Sequence, residues 1–261
     1  MAIYERIAEE LRGPIRAGEM KPGDRLLSES SLAKLYGRSV PTIRQALSLL
    51  EAEGLIEKVH GRGNFVRRPR KLVERTNERH QWEKNRAREP EETRAQTGAT
   101  EHDTGLTLND LVFNAEYREV PADAGLAEAF GVAEGTVLLE RLYRTRYRIE
   151  SAPFNLVHSY LVRDVIAGNP DLLDATKEPW PGGTQSQLFT VGIELDRIVE
   201  HITARPPTAE EAEELALPPG TAVLVLRKTS ISTDDRAVEI SDVILPGDRT
   251  EMTFTTPLER W

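Results

Sequence analysis

The stretch Pro22 to Val66 reads PGDRLLSESSLAKLYGRSVPTIRQALSLLEAEGLIEKVHGRGNFV. Ser28 can cap a helix with apolar positions Leu32, Ala33 and Leu35, and Gly37 suits the left-handed residue that ends one. Ser39 then opens a second helix, with Pro41 in its first turn, where a missing N–H is tolerated. Ile43, Ala46, Leu47 and Leu50 recur at helical spacing and predict the core face. Thr42, Arg44, Gln45 and Ser48 fall off that stripe. Gly54 stops the helix, and Leu55 to Val59 and Asn64 to Arg67 alternate as two short strands around His60-Gly61-Arg62-Gly63.

Helix, turn, helix and hairpin in this order make a winged helix-turn-helix, a module built to touch DNA. Its expected DNA contacts are Ser39, Thr42, Arg44 and Gln45 on the second helix and His60, Gly61 and Arg62 on the wing. Turn glycines at 61 and 63 would let the wing backbone approach a groove closely. Arg67, Arg68 and Arg70, beside the wing, are placed to meet phosphates. An earlier helix near Ile3 to Arg16 presents Ile3, Ile7, Leu11 and Ile15. Gly13-Pro14 predicts a kink or an early end there.

Charge divides the chain in the same way. The whole carries 34 Lys and Arg against 43 Asp and Glu over 261 residues, a net charge of −9. Up to Arg75 there are 15 basic and 10 acidic residues, about +5, so the remainder stands near −14. A basic head on an acidic body suits a DNA-binding module carried by a second domain. There is no cysteine, so disulfides and thiolate metal sites are excluded. The five histidines show no metal-ligand spacing, and no cofactor is expected. The lack of a membrane-length apolar run or signal-peptide core predicts a cytoplasmic protein.

Residues 71–104 are polar and charge-dense and read as a linker, or as a segment that orders only against the second domain, with partial order expected around Arg79 to Glu83 and a mobile loop over Glu91 to Asp103. Beyond it lies an internal repeat. Ala127 to Leu142, AEAFGVAEGTVLLERL, aligns with Ala212 to Arg227, AEELALPPGTAVLVLR, bringing Gly135-Thr136 opposite Gly220-Thr221. Each half reads as helix, turn, apolar strand, hairpin and strand, and Thr208 with Glu211 forms a capping box for the second helix. Two such halves predict an α+β domain around an antiparallel sheet over 105–261.

PGDRLLSE, SVPTIRQAL, LEAEGLIEK and GRGNFV resemble the DNA-binding domain of GntR-type bacterial regulators over residues 1–70. RLYRTRYRIESAPFNLVHSYL, PGGTQSQL, ARPPTAEEAEELALPPGTAVLVLRKT and AVEISDVILPGDR resemble the UTRA effector-binding domain of the HutC subfamily, actinobacterial type, which has a chorismate-lyase-like fold. The chain departs from the family at Ser30 and Val40, where relatives often carry base-reading arginines. The resemblance implies a homodimeric regulator, a repressor, that binds double-stranded DNA at a palindromic operator and responds to a small anionic or sugar-like effector. It places effector contacts at Arg144, Arg146, Thr184, Ser186 and Glu239. The alternatives are a lyase-like enzyme on the second domain or a winged-helix protein-interaction module.

Overall fold

The computed structural model describes residues 1–259. They divide into two units, one of Met1–Lys71 with Pro206–Ala222, the other of Leu72–Arg205 with the residues from Val223 onward. Among the described residues, no helix is long and apolar enough to cross a membrane.

The first unit contains α1 (Ile3–Arg16), α2 (Glu29–Tyr36), α3 (Val40–Ala52), β1 (Ile56–Val59) and β2 (Gly63–Val66). Ser28 caps α2 by accepting from the Ser31 N–H at 3.1 Å, and Gly37 closes it with φ +61°. Ile7, Leu32, Ile43, Leu47, Leu50 and Ile56 form one core, each contributing roughly 1.5–3 kcal/mol by leaving water. Leu35 and Ile3, apolar positions of α2 and α1, are exposed, at 66% and 45%. On an eight-residue helix the stripe that faces α3 has room for Leu32 with its near neighbours, and Leu35 falls outside it. Nor does α1 end early at Pro14, which sits in its last turn. The N–H of Ala17 still bonds the Gly13 carbonyl at 2.9 Å, so the helix runs on to Arg16.

β1 and β2 pair antiparallel with Val59 opposite Gly63. Gly61 and Gly63 both take positive φ, +72° and +116°, as the tight wing turn requires. Arg12 of α1 donates from Nε and Nη2 to the Glu53 carboxylate after α3, at 2.7 and 2.6 Å. That fork fixes the far end of α3 and holds the Glu53 carboxyl below the usual carboxylate range, chiefly through the hydrogen bond.

The second unit begins with β3 (Val73–Thr76), α4 (Arg79–Arg86), α5 (Glu91–Arg94) and α6 (Ala99–Thr104). The stretch 71–104 is therefore folded, not an open linker, and 91–103 is largely helical. β4 (Leu111–Pro121), α7 (Ala124–Phe130), β5 (Val137–Tyr147) and β6 (Leu156–Val162) make the first half of the repeat. After α8 (Arg163–Ile166) and α9 (Gly183–Thr190), β7 (Leu195–Arg205), α10 (Ala209–Glu214), β8 (Val223–Ser232) and β9 (Ala237–Pro246) make the second. β10 (Thr250–Thr253) pairs in parallel with β3.

The six long strands form one antiparallel sheet in the order β4-β5-β6-β9-β8-β7. The two halves meet at the β6–β9 seam, and each half has its strands in mirrored order. Thr208 caps α10, accepting from the Glu211 N–H at 3.2 Å while Glu211 accepts from the Thr208 N–H at 2.8 Å. The halves differ in one respect: α7 packs on the sheet through Leu126, Ala127 and Phe130, whereas α10 groups with the first unit.

Candidate functional site

Strand alternation decides what β5 offers to each face. Even positions 138, 140, 142, 144 and 146 share one face and odd positions 139, 141, 143 and 145 the other. The odd face looks toward α9, and here Arg141 lies 1% exposed. Its Nη1 donates to Gln187 Oε1 at 2.6 Å. Its Nη2 donates to Ser159 Oγ at 2.8 Å and Thr184 Oγ1 at 3.1 Å, and lies 3.2 Å from Glu239 Oε1.

Glu239, 2% exposed on β9, also accepts from Ser159, Ser230 and Ser241 at 2.8, 2.9 and 3.1 Å. Lys228 Nζ stands 2.9 Å from its other oxygen. Burial alone would push the Glu239 pKa up, but Lys228 and Arg141 outweigh it and hold it down at about 2. The sign of the pH effect follows. Stability from ionised Glu239 is present above the ordinary glutamate range and is lost as pH falls toward 2. Acid unfolding of the second unit, followed by tryptophan fluorescence, should therefore be less steep in Glu239→Gln, and an unchanged acid limb would contradict this.

A second polar group adjoins the first. Glu178 Oε1 accepts from the Tyr143 hydroxyl at 2.8 Å and Gln187 Nε2 at 2.9 Å, and also from the Tyr117 hydroxyl. Together these groups border a cavity of about 720 Å³. Tyr143, Thr145, Thr184, Lys228 and Glu239 line it from the sheet side and α9, and Trp82 and Trp180 add aromatic wall. Its size is that of a small-molecule site.

The connecting segment supplies the rest of the wall. Arg79 of α4 donates to Asp103 and lies 3.4 Å from Glu83. Arg75 of β3 lies 3.6 Å from Glu200, and His80 Nε2 lies 3.2 Å from the same carboxylate. Burial works against a charged His80, but Glu200 and Glu83 more than offset it, raising its pKa. Gln185 ties α9 to α4 through the His80 carbonyl at 2.9 Å. Arg86 stacks on Trp82 at 4.8 Å and donates to the Thr93 carbonyl at 2.7 Å. The charges that made this stretch look solvated are largely paired with one another.

The five residues expected to contact an effector divide accordingly. Thr184 and Glu239 line the cavity. Arg144 and Arg146 do not: they sit on the even face of β5, where Arg144 lies 3.8 Å from Glu116 and Arg146 donates to the Glu150 carbonyl at 3.0 Å. Ser186 is buried beside the cavity without lining it and accepts from Arg94. Arg141, Tyr143 and Lys228 were missed: the parity of β5 points to the first two only once Leu139 is known to be buried, and Lys228 lies on β8, outside that pattern.

On the first unit, Ser39, Arg44, Gln45, His60, Gly61 and Arg62 are exposed and Thr42 is half-buried. Ser39 Oγ bonds Thr42 Oγ1 at 2.9 Å rather than capping the α3 backbone. Arg44 Nε donates to Glu29 Oε2 of α2 at 2.7 Å, with the arginine side chain still 62% exposed. Arg62 lies 5.7 Å from the Phe65 ring.

A winged helix-turn-helix unit and a cavity-bearing unit with a two-fold repeated sheet define a DNA-binding regulator with a ligand domain. Residues 3–66 match the bacterial regulatory proteins of the gntR family, and residues 114–251 match the UTRA domain. The chain belongs to the GntR family of regulators that carry a UTRA domain. It is 28% identical to an HTH-type transcriptional regulator of Streptomyces coelicolor, over 94% of this chain and 89% of that one. It is 25% identical to the HTH-type transcriptional repressor NagR of Bacillus subtilis, over 99% and 95%. A crystal structure of a GntR-family transcriptional regulator superposes with a TM-score of 0.64 at 25% identity, covering 99% of each chain. PhnF from Mycobacterium smegmatis shares the fold, with a TM-score of 0.53 at 22% identity over 97% of this chain and 99% of that one. The chain is a transcriptional regulator and not an enzyme.

Proposed function

We propose that the protein is a repressor that binds a palindromic operator as a homodimer and releases it when a small polar effector occupies the cavity. The observation that carries this reading is the cavity of about 720 Å³ set against a buried Arg141–Glu239 pair tied to Gln187, Ser159, Thr184, Ser230 and Ser241. Such a preformed polar floor fixes a ligand's orientation while the aromatic wall supplies contact area. In this reading Ser39, Thr42, Arg44 and Gln45 face the major groove, and His60, Gly61 and Arg62 of the wing take the neighbouring backbone or minor groove. Thr184 and Glu239 are the effector contacts kept from the expected set. Release requires that the effector prefer one arrangement of the dimer over the other.

Selection of bound DNA from a random pool by the full chain is the test. An inverted repeat whose half-sites lie about one helical turn apart is expected. Operator complexes are then challenged with sugars, sugar phosphates and small carboxylates, in the wild type and in Ser241→Trp, which fills the cavity. Release in the first and not in the second is expected. No enriched sequence, or equal release from both proteins, would overturn the reading.

A further inference from the structure

Strand register gathers aromatic rings at the cavity. Phe113 of β4 stands opposite Thr145 of β5, Tyr143 of β5 opposite Val157 of β6, and Val157 opposite Val243 of β9. Ala115, the β4 partner of Tyr143, is too small to separate it from Phe113, and the two rings lie 5.7 Å apart, tilted by 40°. Phe113, Tyr143 and Val157 line the cavity and are only half-buried, so an apolar strip with surface to spare runs beside the polar floor. Trp82 of α4 and Trp180, just ahead of α9, are half-buried lining residues as well. Four aromatic rings with uncovered surface therefore meet at one cavity.

The polar side chains around these rings are committed to one another. The Tyr143 hydroxyl donates to Glu178 Oε1 at 2.8 Å, which leaves a ligand the ring. Lys228 Nζ is 2.9 Å from Glu239, Arg79 is held by Asp103 and Glu83, and Arg86 serves the Trp82 ring and the Thr93 carbonyl. The charges of the lining nearly cancel, five Lys and Arg with His80 against five Asp and Glu. A sugar's hydroxyls would meet few free partners on the strip, and an anion little excess positive charge. Thr184 is the exception. It is half-buried, its Oγ1 accepts from Arg141 at 3.1 Å, and its own proton has no acceptor among the described residues. It can donate to one oxygen of a ligand.

We propose that the cavity takes an uncharged aromatic compound with one oxygen substituent, a phenol or an aryl ketone, stacked among Phe113, Tyr143, Trp82 and Trp180 with its oxygen at Thr184. This rests on the reading of the cavity as an effector site and names the class of its ligand. A flat ring suits the wall because aromatic pairs gain from offset and edge-to-face contact beyond the area they bury. A saturated ring of the same size lacks that gain.

The full chain is titrated with N-phenyl-1-naphthylamine, an uncharged dye that brightens in apolar surroundings. The bound dye is then challenged with 2-naphthol, cyclohexanol, glucose and inorganic phosphate. Saturable brightening is expected, reversed by 2-naphthol at concentrations where the other three do nothing. Phe113→Leu and Trp180→Leu keep apolar bulk and remove a ring, and each should weaken 2-naphthol roughly three- to tenfold, the range of one aromatic pair. Tyr143→Phe loses the bond to Glu178 but keeps the ring, so it should bind 2-naphthol as the wild type does. Thr184→Val should weaken 2-naphthol and leave naphthalene unchanged. No saturable brightening, equal displacement by cyclohexanol, displacement by glucose or phosphate in place of 2-naphthol, or full affinity in the leucine variants would overturn the proposal. If one leucine variant fails to fold, the other decides. Operator release is read separately. Release by a sugar from a protein that never binds 2-naphthol refutes the aromatic assignment and leaves the repressor reading standing. Binding of 2-naphthol that leaves the operator complex intact supports the aromatic site and tells against its effector role.

Discussion

Arg141→Met is expected to destabilise the second unit by about 3–5 kcal/mol, the usual result of removing one partner from a buried charge pair. The side chain is 1% exposed, and four neighbours depend on it. Gln187 Oε1 and Thr184 Oγ1 lose a donor, and Glu239 keeps Lys228 as its remaining ion partner at 2.9 Å. The Glu239 pKa, now held at about 2 by Lys228 and Arg141 against burial, should rise, moving acid unfolding to higher pH. Arg141→Lys should lose less, because it retains the charge, but a single ammonium cannot reproduce the planar fork that reaches Gln187 on one side and Ser159 and Glu239 on the other. Arg141→Met with Glu239→Gln should fall short of the two single losses added together, since the two residues share one network. Urea unfolding followed by the Trp82 and Trp180 fluorescence measures all of these. A loss below about 1 kcal/mol in Arg141→Met would show that the pair is dispensable to the cavity floor.

Where the fold was legible in the chain, the signal was local. Ser28, Gly37, Pro41, Gly54 and the 60–63 turn each act within a few residues, so the winged module could be read end to end. The repeat was legible because Gly135-Thr136 and Gly220-Thr221 mark the same turn twice. Two things were not legible, for different physical reasons. Arg141, Arg144, Arg146 and Arg148 lie along one arginine-rich strand region, and a shift of one residue exchanges its two faces. Only the packing of Leu139 against the α9 side settles which arginine points inward. The stretch 71–104 looked like a solvated linker because its charges are dense and its large apolar residues few. In the fold those charges neutralise one another across distant positions: Arg79 with Asp103, and Arg75 and His80 with Glu200. Composition registers the charges but not their pairing, so a buried ionic cluster and a disordered linker look alike in the sequence.

Arg44→Ala should weaken operator binding by about 1–3 kcal/mol, the range of a good arginine–base contact. The upper part of that range is expected, because Ser30 and Val40 stand where relatives often place arginines and leave Arg44 a larger share of the reading. Its present partner does not withhold it from DNA. The Arg44–Glu29 pair joins a 62% exposed side chain to a 23% exposed one, and an ion pair that wet contributes at most about 1 kcal/mol. Glu29→Gln should therefore leave the first unit folded and, by removing a competing carboxylate, tighten operator binding modestly. Arg44→Lys separates the two roles an arginine could have here. A phosphate contact survives the change, whereas a bidentate contact to guanine does not, and specificity then relaxes at one base pair of each half-site. Loss of a phosphate contact would instead weaken all sequences alike and lower the salt dependence of binding by about one ion per site. Titrations of the selected operator and of a scrambled duplex at several salt concentrations distinguish these outcomes. Unchanged operator affinity in a folded Arg44→Ala protein would remove Arg44 from the reading surface, and with it the argument that α3 still reads bases after the losses at 30 and 40.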